Sequence, residues 1–212
     1  MAIAFDTFSD GTSGTATSIT WTHTTAGTDR ILFVGALGHS DGTDNITGAT
    51  YNSVAMTLST KSKGNLDRYI YLFYLKNPAS GANSVVVSAS SSTEIYGVST
   101  SYTGALQTGG MDASVSTTGT GTSLTSTLTT VADNCWTVLS GWGSGVAPTA
   151  GTGSTARTAG IPRLFDNNAA ITPAGSTSMT INLSSSVAVT TQMASFAPAP
   201  TATSGKNFLA FM

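Results

Sequence analysis

Apolar and polar residues alternate along most of the chain, and one segment is apolar on both of its faces. This segment, LDRYIYLFYLK, runs from Leu66 to Lys76. A period of two divides its side chains between the faces, with Tyr69, Tyr71, Phe73 and Leu75 on one and Ile70, Leu72 and Tyr74 on the other. Because both faces need a covering layer, the pattern predicts a central strand.

Weaker alternation predicts strands along the rest of the chain, separated by turns rich in Gly, Thr, Asn and Asp. Asn52-Ser53 is expected to be a two-residue hairpin connection with Asn52 at positive φ. The predicted strands lie at residues 17–24, 30–38, 46–51, 54–58, 66–76, 84–90, 93–103, 113–117, 123–130, 134–142, 178–183 and 187–196. No segment has helix caps and helical periodicity, so the predicted fold is all-β: a two-sheet antiparallel jelly-roll sandwich.

Composition divides the chain into three parts. Residues 1–16 are expected to form an N-terminal arm or an edge strand, residues 17–196 one sandwich, and residues 197–212 a Pro/Ala linker with an apolar tail. Exposed apolar residues usually have a partner, so the end of the tail is expected to bind a neighbouring subunit. The residues expected to make this contact are Phe208, Leu209, Phe211 and Met212.

A partial internal sequence repeat predicts that the sandwich has two related halves. Residues 24–38, TTAGTDRILFVGALG, resemble residues 129–142, TTVADNCWTVLSGW, with a loop that differs by one residue.

The composition excludes several classes of partner. Charged residues are 8% of the chain, the net charge is -2 and only eight residues are Lys or Arg, so no basic surface for nucleic acid is expected. The longest apolar run, residues 31–37, is too short for a membrane helix, and the N-terminus lacks a basic leader, which predicts a protein that is not secreted. Cys135 is the only cysteine and is expected to be a buried apolar side chain.

The candidate chemistry is sparse and predicts that the chain is not an enzyme and needs no cofactor. Only His23 and His39 could act as an imidazole base, and the chain has one Glu and nine Asp, nearly all beside turn residues. His23 follows Trp21 on an apolar face and is interpreted as a hydrogen-bonded packing residue. Glu94 is interpreted as an outward charge that protects a strand edge.

Two segments remain candidates for binding. The loop HSDGTDN places Asp41, Asp44 and Asn45 around a glycine, which is the oxygen chemistry that calcium prefers, although such residues also serve ordinary turns. Trp142, beside a Gly-rich loop, is the one Trp expected to be exposed. It is therefore the possible glycan contact if the sandwich is a carbohydrate-binding or receptor-binding module.

Three stretches carry a resemblance to a known family: WTHTTAGTDRILFVGALGHSDGTDNITGATYNSVAMTL, DRYIYLFYLKNPASGANSVVVSAS and VSTSYTGA. Together they resemble a jelly-roll domain of bacteriophage structural proteins, most like a capsid decoration, or cement, protein. Ser53 replaces the glycine of that family's hairpin. The resemblance implies a homotrimer that binds the major capsid protein or neighbouring virion subunits on the outer capsid surface, after synthesis in the host cytoplasm.

Overall fold

The structure, a computed structural model, describes residues 1–39, 42–64 and 68–201. It contains two antiparallel sheets packed against each other, which confirms the predicted all-β sandwich. The first sheet is formed by β1 (Ala4–Thr25), β2 (Ile31–His39), β3 (Ile46–Tyr51), β4 (Val54–Ala55), β5 (Thr57–Lys63), β6 (Arg68–Lys76) and β7 (Gly81–Thr103). The second is formed by β8 (Ala113–Thr129), β9 (Trp136–Gly143), β10 (Thr149–Ala150), β11 (Thr155–Ala156), β12 (Arg163–Asp166) and β13 (Ser176–Phe196).

Each sheet is built around one long strand, and apart from the short β4, which pairs with β3 in the first sheet only, the two sheets have the same connectivity. In the first, β7 pairs with β1 along one edge and with β2 and β3 along the other, while β6 joins β2 to β5. In the second, β13 pairs with β8 along one edge and with β9 and β10 along the other, while β12 joins β9 to β11. The partial sequence repeat therefore corresponds to a structural repeat, with one sheet in each half of the chain.

The repeat extends to side-chain contacts at the first turn of each half. Asp6 accepts hydrogen bonds from the Ala26 amide at 3.0 Å and from Ser101 Oγ at 2.8 Å. Asp112 accepts the equivalent bonds, from the Val131 amide at 3.0 Å and from Ser195 Oγ at 2.8 Å. In both halves, one carboxylate thus ties the turn between the first two strands to the end of the long strand.

Each sheet also folds over itself and encloses its own core. Trp21 pairs with Val85 in β7, yet its indole lies over Gly97 and donates a 3.0 Å hydrogen bond to Ser99, much further along the same strand. A Cβ on Gly97 would lie 2.4 Å from the Trp21 ring, so the close approach requires glycine. The core around Trp21 accordingly draws its residues only from the first half of the chain.

A further core lies between the two sheets and is lined by side chains of both. It contains Ile31, Phe33, Leu72 and Tyr102 of the first sheet and, from the second, Trp136, Val138, Leu164, Ala194 and Phe196. The prediction that both faces of the segment around Phe73 are covered by other parts of the protein is confirmed. Tyr71 and Phe73 enter the core of the first sheet, whereas Leu72 and Tyr74 enter the core between the sheets.

Several strand boundaries in the structure differ from those predicted. Asn52 and Ser53 form the expected hairpin connection, both at positive φ. Residues 4–16, left open as an arm or an edge strand, belong to β1 and pair with β7. The predicted breaks inside β7, β8 and β13 are wrong, because each strand continues through its hydroxyl-rich segment. In β8 most of that segment pairs with β13, whereas in β7 and β13 it lies at a shift in the pairing register. Residues 197–199, predicted as linker, pair with residues 104–106 instead.

Candidate functional site

Trp142, the predicted glycan contact, lies at the end of β9 and is 3% exposed, so the prediction that it is exposed is wrong. The reason is that β9 runs between β13 and β12, and the indole packs against Leu37 and Ile70 of the other sheet. The guanidinium of Arg68 covers the indole at 5.3 Å from the ring centroid, a distance typical of a cation–π contact.

A pocket of about 310 Å³ opens beside this tryptophan. It lies between the two sheets, where the loops that follow β9 and precede β12 face the first residue of β6. Its walls are mostly small or apolar, and its two charged residues are both arginines. The lining comprises Arg68, Gly141, Trp142, Gly143, Gly145, Val146, Ala147, Pro148, Gly160, Ile161, Pro162 and Arg163.

The two arginines of the pocket differ in their partners. Arg68 lies 3.7 Å from the Glu94 carboxylate. Arg163 donates to the carbonyl oxygens of Pro148 at 2.7 Å and Ala159 at 3.3 Å, and within the described part of the chain it has no carboxylate partner. The Arg163 charge is therefore not neutralised, and an anionic group in the pocket would find a favourable potential.

Glu94 is the centre of a polar cluster behind Arg68. It accepts hydrogen bonds from the Tyr96 hydroxyl and from His39 Nδ1, the latter at 3.1 Å. The Tyr96 bond, with smaller contributions from His39 and Arg68, lowers the pKa of Glu94, while burial and the same carboxylate raise the pKa of Tyr96. The interpretation of Glu94 as protecting a strand edge is wrong, since β7 is paired on both sides at this residue.

A second, shallower depression of about 420 Å³ adjoins the pocket at Gly160 and Ile161 and is lined by Asp10 and Tyr96. Asp10 accepts hydrogen bonds from the amides of Ala159 at 2.6 Å and Gly160 at 3.2 Å. The Asp10 carboxylate thus fixes the loop that separates the two depressions to β1. Ile161, 42% exposed, stands between them.

The predicted calcium ligands are only partly within the described residues. Asp41 lies outside them. Asp44 accepts hydrogen bonds from Lys61 and from the Tyr71 hydroxyl; burial would raise its pKa, but these two bonds lower it. Asn45 is 2% exposed, and among the described residues its side-chain amide has no hydrogen-bond partner. In the ranges that the structure describes, no three acidic, His or Cys side chains come close enough to hold a metal.

His23 has the predicted packing role. It is fully buried, with Nδ1 3.2 Å from Ser9 Oγ and 2.9 Å from Ser99 Oγ, and with Nε2 3.0 Å from Ser101 Oγ. Burial lowers its pKa from 6.5 to about 4, although nearby Asp6 acts in the opposite direction. The imidazole is therefore neutral near neutral pH.

Sequence reasoning missed the cluster of Arg68, Glu94, Trp142 and Arg163, because these residues are far apart in the chain and form no motif. It also overlooked that Gly38-His39-Ser40-Asp41-Gly42 fits the G-x-S-x-G pattern. In hydrolases that pattern joins a strand to a helix, whereas here it lies between β2 and β3 of one sheet, and Ser40 is outside the described residues. The predicted tail residues 208, 209, 211 and 212 also lie outside them.

The described residues contain no helix long and apolar enough to cross a membrane. Comparisons of the chain with known protein families, with curated proteins and with solved structures find no match.

Proposed function

We propose that the chain is a non-enzymatic structural protein of a phage virion, a decoration or cement subunit that stabilises the head. In this proposal it is made in the host cytoplasm, assembles as a homotrimer and binds the major capsid protein or neighbouring virion subunits on the outer capsid surface. The residues that resemble phage jelly-roll domains motivate the proposal, and the two-sheet fold is compatible with it.

The observation that carries the proposal is the structural use of the reactive side chains. Asp6 and Asp112 hold turns, Asp10 fixes a loop, and His23 is enclosed by serine hydroxyls. Asp166 is fully buried and bound by Arg157 through two hydrogen bonds of 2.6 and 3.0 Å. Acidic and imidazole side chains that hold turns, loops and other side chains in place stabilise a rigid scaffold.

A cement protein stabilises through multivalency, since several modest contacts from one oligomer act together at high effective concentration. The exposed positions of β8 suit such contacts because they are uncharged hydroxyls that can bond to a neighbour without charge repulsion. The apolar tail residues supply a further contact in this proposal.

The experiment is a pull-down of the purified chain by capsids of the phage that encodes it, prepared without the protein. Saturable binding at a fixed number of copies per capsid is expected, and free sugars should not compete. Absence of capsid binding at all salt concentrations would overturn the proposal.

The pocket beside Trp142 favours a second candidate function, the binding of a glycan. A mostly apolar wall with an unneutralised guanidinium suits a sugar that carries a carboxylate. In an array of neutral and acidic glycans, this candidate predicts capture of acidic sugars that is lost in Arg163→Gln. Arg30→Gln is the matched control, because Arg30 also bonds two backbone carbonyls but lies outside the pocket. Equal binding by the two variants would exclude the pocket as the glycan site.

A further inference from the structure

The loop at residues 159–161 separates the pocket beside Trp142 from the depression that contains Asp10. Gly160 and Ile161 line both of them. Their volumes, about 310 and 420 Å³, together fall within the roughly 300 to 1,000 Å³ that is typical of ligand sites. A ligand that crosses Ile161 would therefore contact the pocket and the depression at the same time.

A bulge in β1 brings Asp10 to this loop. The pairing of β1 with β7 shifts register between Ser9 and Thr12, where β1 has one residue more than β7. The equivalent part of β8, Ala113–Gly121, pairs with β13 without a shift. The extra residue is thus particular to the half of the repeat that faces the pocket. Bulges of this kind re-aim side chains and are frequent beside functional sites.

Asp10 holds the loop in place and keeps one carboxylate oxygen for other contacts. Its Oδ1 accepts hydrogen bonds from the amides of Ala159 and Gly160, and the Ala159 carbonyl in turn accepts a bond of 3.3 Å from Arg163 Nη2. Because both amide bonds use Oδ1, Oδ2 has no hydrogen-bond partner among the described residues. Oδ2 is therefore left to accept a bond from a ligand hydroxyl.

The two arginines of the pocket have donors that the described chain does not use. Arg163 bonds the carbonyls of Pro148 and Ala159 through its two Nη atoms, while its Nε is buried without a partner. The buried Nε of Arg68 also lacks a partner among the described residues. Cationic donors without an acceptor favour an anionic ligand group, and a carboxylate can bind two of them at once.

The depression has a different chemistry. Its polar lining consists of Asp10, Thr12, Ser13 and Tyr96, and the first three of these residues are exposed. Hydroxyl and carboxylate oxygens form hydrogen bonds with the hydroxyls of a neutral sugar. A negatively charged sugar would instead be repelled by the Asp10 carboxylate. The pocket therefore favours the acidic part of a ligand, and the depression favours a neutral part.

We infer that the pocket and the depression are adjoining parts of one site for an acidic oligosaccharide. A sugar that carries a carboxylate lies in the pocket with its charge on Arg163, and the neutral sugar linked to it lies beyond Ile161 against Asp10 and Thr12. The inference rests on the glycan-binding candidate function and specifies its ligand, which has an acidic sugar unit joined to a neutral one.

The test titrates the full chain with glucuronic acid and with disaccharides in which glucuronic acid is joined to a neutral hexose through different linkages. Ligand-observed NMR measures the affinities. At least one of these disaccharides should bind about tenfold more tightly than glucuronic acid, because the second sugar adds hydrogen bonds in the depression. A disaccharide of two neutral hexoses should bind more weakly than either, because it has no charge to place on Arg163.

Two variants separate the two parts of the site. Arg163→Gln should weaken the binding of glucuronic acid and of the acidic disaccharides alike. Thr12→Leu/Ser13→Leu should lower the affinity for the disaccharide to that for glucuronic acid, because it removes two hydroxyls from the depression only. Thr20→Leu/Thr22→Leu is the matched control, since these exposed threonines of β1 lie outside both linings. Far-ultraviolet circular dichroism and the melting temperature establish that the variants fold.

The outcomes distinguish this inference from the function on which it rests. If acidic sugars bind no more tightly than neutral ones, or bind Arg163→Gln as they bind the wild type, the glycan-binding candidate fails and the inference fails with it. If acidic sugars bind through Arg163 but no disaccharide binds more tightly than glucuronic acid, the inference alone is wrong. Equal affinity of the two leucine variants for the disaccharide would also overturn it.

Discussion

Tyr102 of the first sheet donates a hydrogen bond of 2.9 Å to the buried carboxylate of Asp166 in the second sheet. Arg157 binds the same carboxylate, and its guanidinium lies 4.2 Å from the ring centroid of Phe5 in β1. Phe196 holds in β13 the position that Tyr102 holds in β7, and the two rings are 5.2 Å apart. The Tyr102 hydroxyl thus makes a hydrogen bond to the other sheet that Phe196, at the equivalent position, cannot make.

Asp166→Asn should lower the free energy of unfolding by roughly 3 to 5 kcal/mol, because it leaves the largely buried Arg157 without its counter-ion. Chemical denaturation measures the change. Asp29→Asn is the control: Asp29 lies at positive φ, as does Asn134 in the second half, so this change should stay within about 0.5 kcal/mol. A loss below about 1 kcal/mol for Asp166→Asn would show that the Arg157–Asp166 pair contributes little to the stability of the fold.

His23 should make the fold less stable in mild acid. Its pKa is lowered from 6.5 to about 4 in the folded protein, so between these pH values the unfolded chain binds a proton that the folded chain does not. Stability is therefore lost as pH falls through this window, by roughly 3 kcal/mol in total, and this loss is complete at about pH 4.

The measurement is the free energy of unfolding against pH for the wild type, His23→Gln and His39→Gln. Carboxylates also titrate near pH 4, so the comparison between variants isolates the imidazole. His23→Gln should be less stable at neutral pH but have a shallower decline between pH 6.5 and 4, whereas His39→Gln keeps the buried His23 imidazole and with it the part of the decline that His23 causes. Parallel curves for all three proteins would contradict the assignment.

Phe73→Ala should cost roughly 3 to 5 kcal/mol of stability, since the ring is 4% exposed and stacks on Tyr71 with centroids 5.8 Å apart. Leu58, the β5 neighbour of Phe73 in register, is 39% exposed and provides a control whose replacement by Ala should cost much less. Equal losses in denaturant unfolding would mean that the core of the first sheet lies elsewhere.

The segments with strong apolar alternation could be predicted from the sequence. The double-faced pattern around Phe73 identified the β6 strand that contributes to the cores on both of its sides, and Asn52-Ser53 identified a hairpin. The sequence similarity between the segments that contain β2 and β9 indicated the structural repeat. These features depend on local periodicity and turn chemistry, which a single sequence contains.

The features that the sequence did not predict depend on contacts between residues that are far apart in the chain. Trp142 is buried because Leu37, Ile70 and Arg68 come from the other half of the chain, and no local pattern reports that contact. The continuity of β8 was missed for a related reason. Its Thr-, Ser- and Gly-rich middle looks like a loop until β13 pairs with it.

Deletion of residues 202–212 should leave the melting temperature of the sandwich unchanged while weakening attachment to capsids. This prediction uses the sequence alone, since apolar residues 208, 209, 211 and 212 follow a Pro- and Gly-containing segment and need a partner surface. Binding of full-length and shortened chains to the same capsids measures it. Attachment of the shortened chain at full strength would show that the tail is not a docking element.

The most direct test of the structural role is the thermal stability of phage heads that lack the protein, measured as the temperature of genome release with and without the added chain. A cement subunit should raise this temperature to a plateau reached at a fixed number of bound copies. An unchanged release temperature at saturating protein, together with capture of acidic glycans that depends on Arg163, would contradict the account and favour the glycan-binding function.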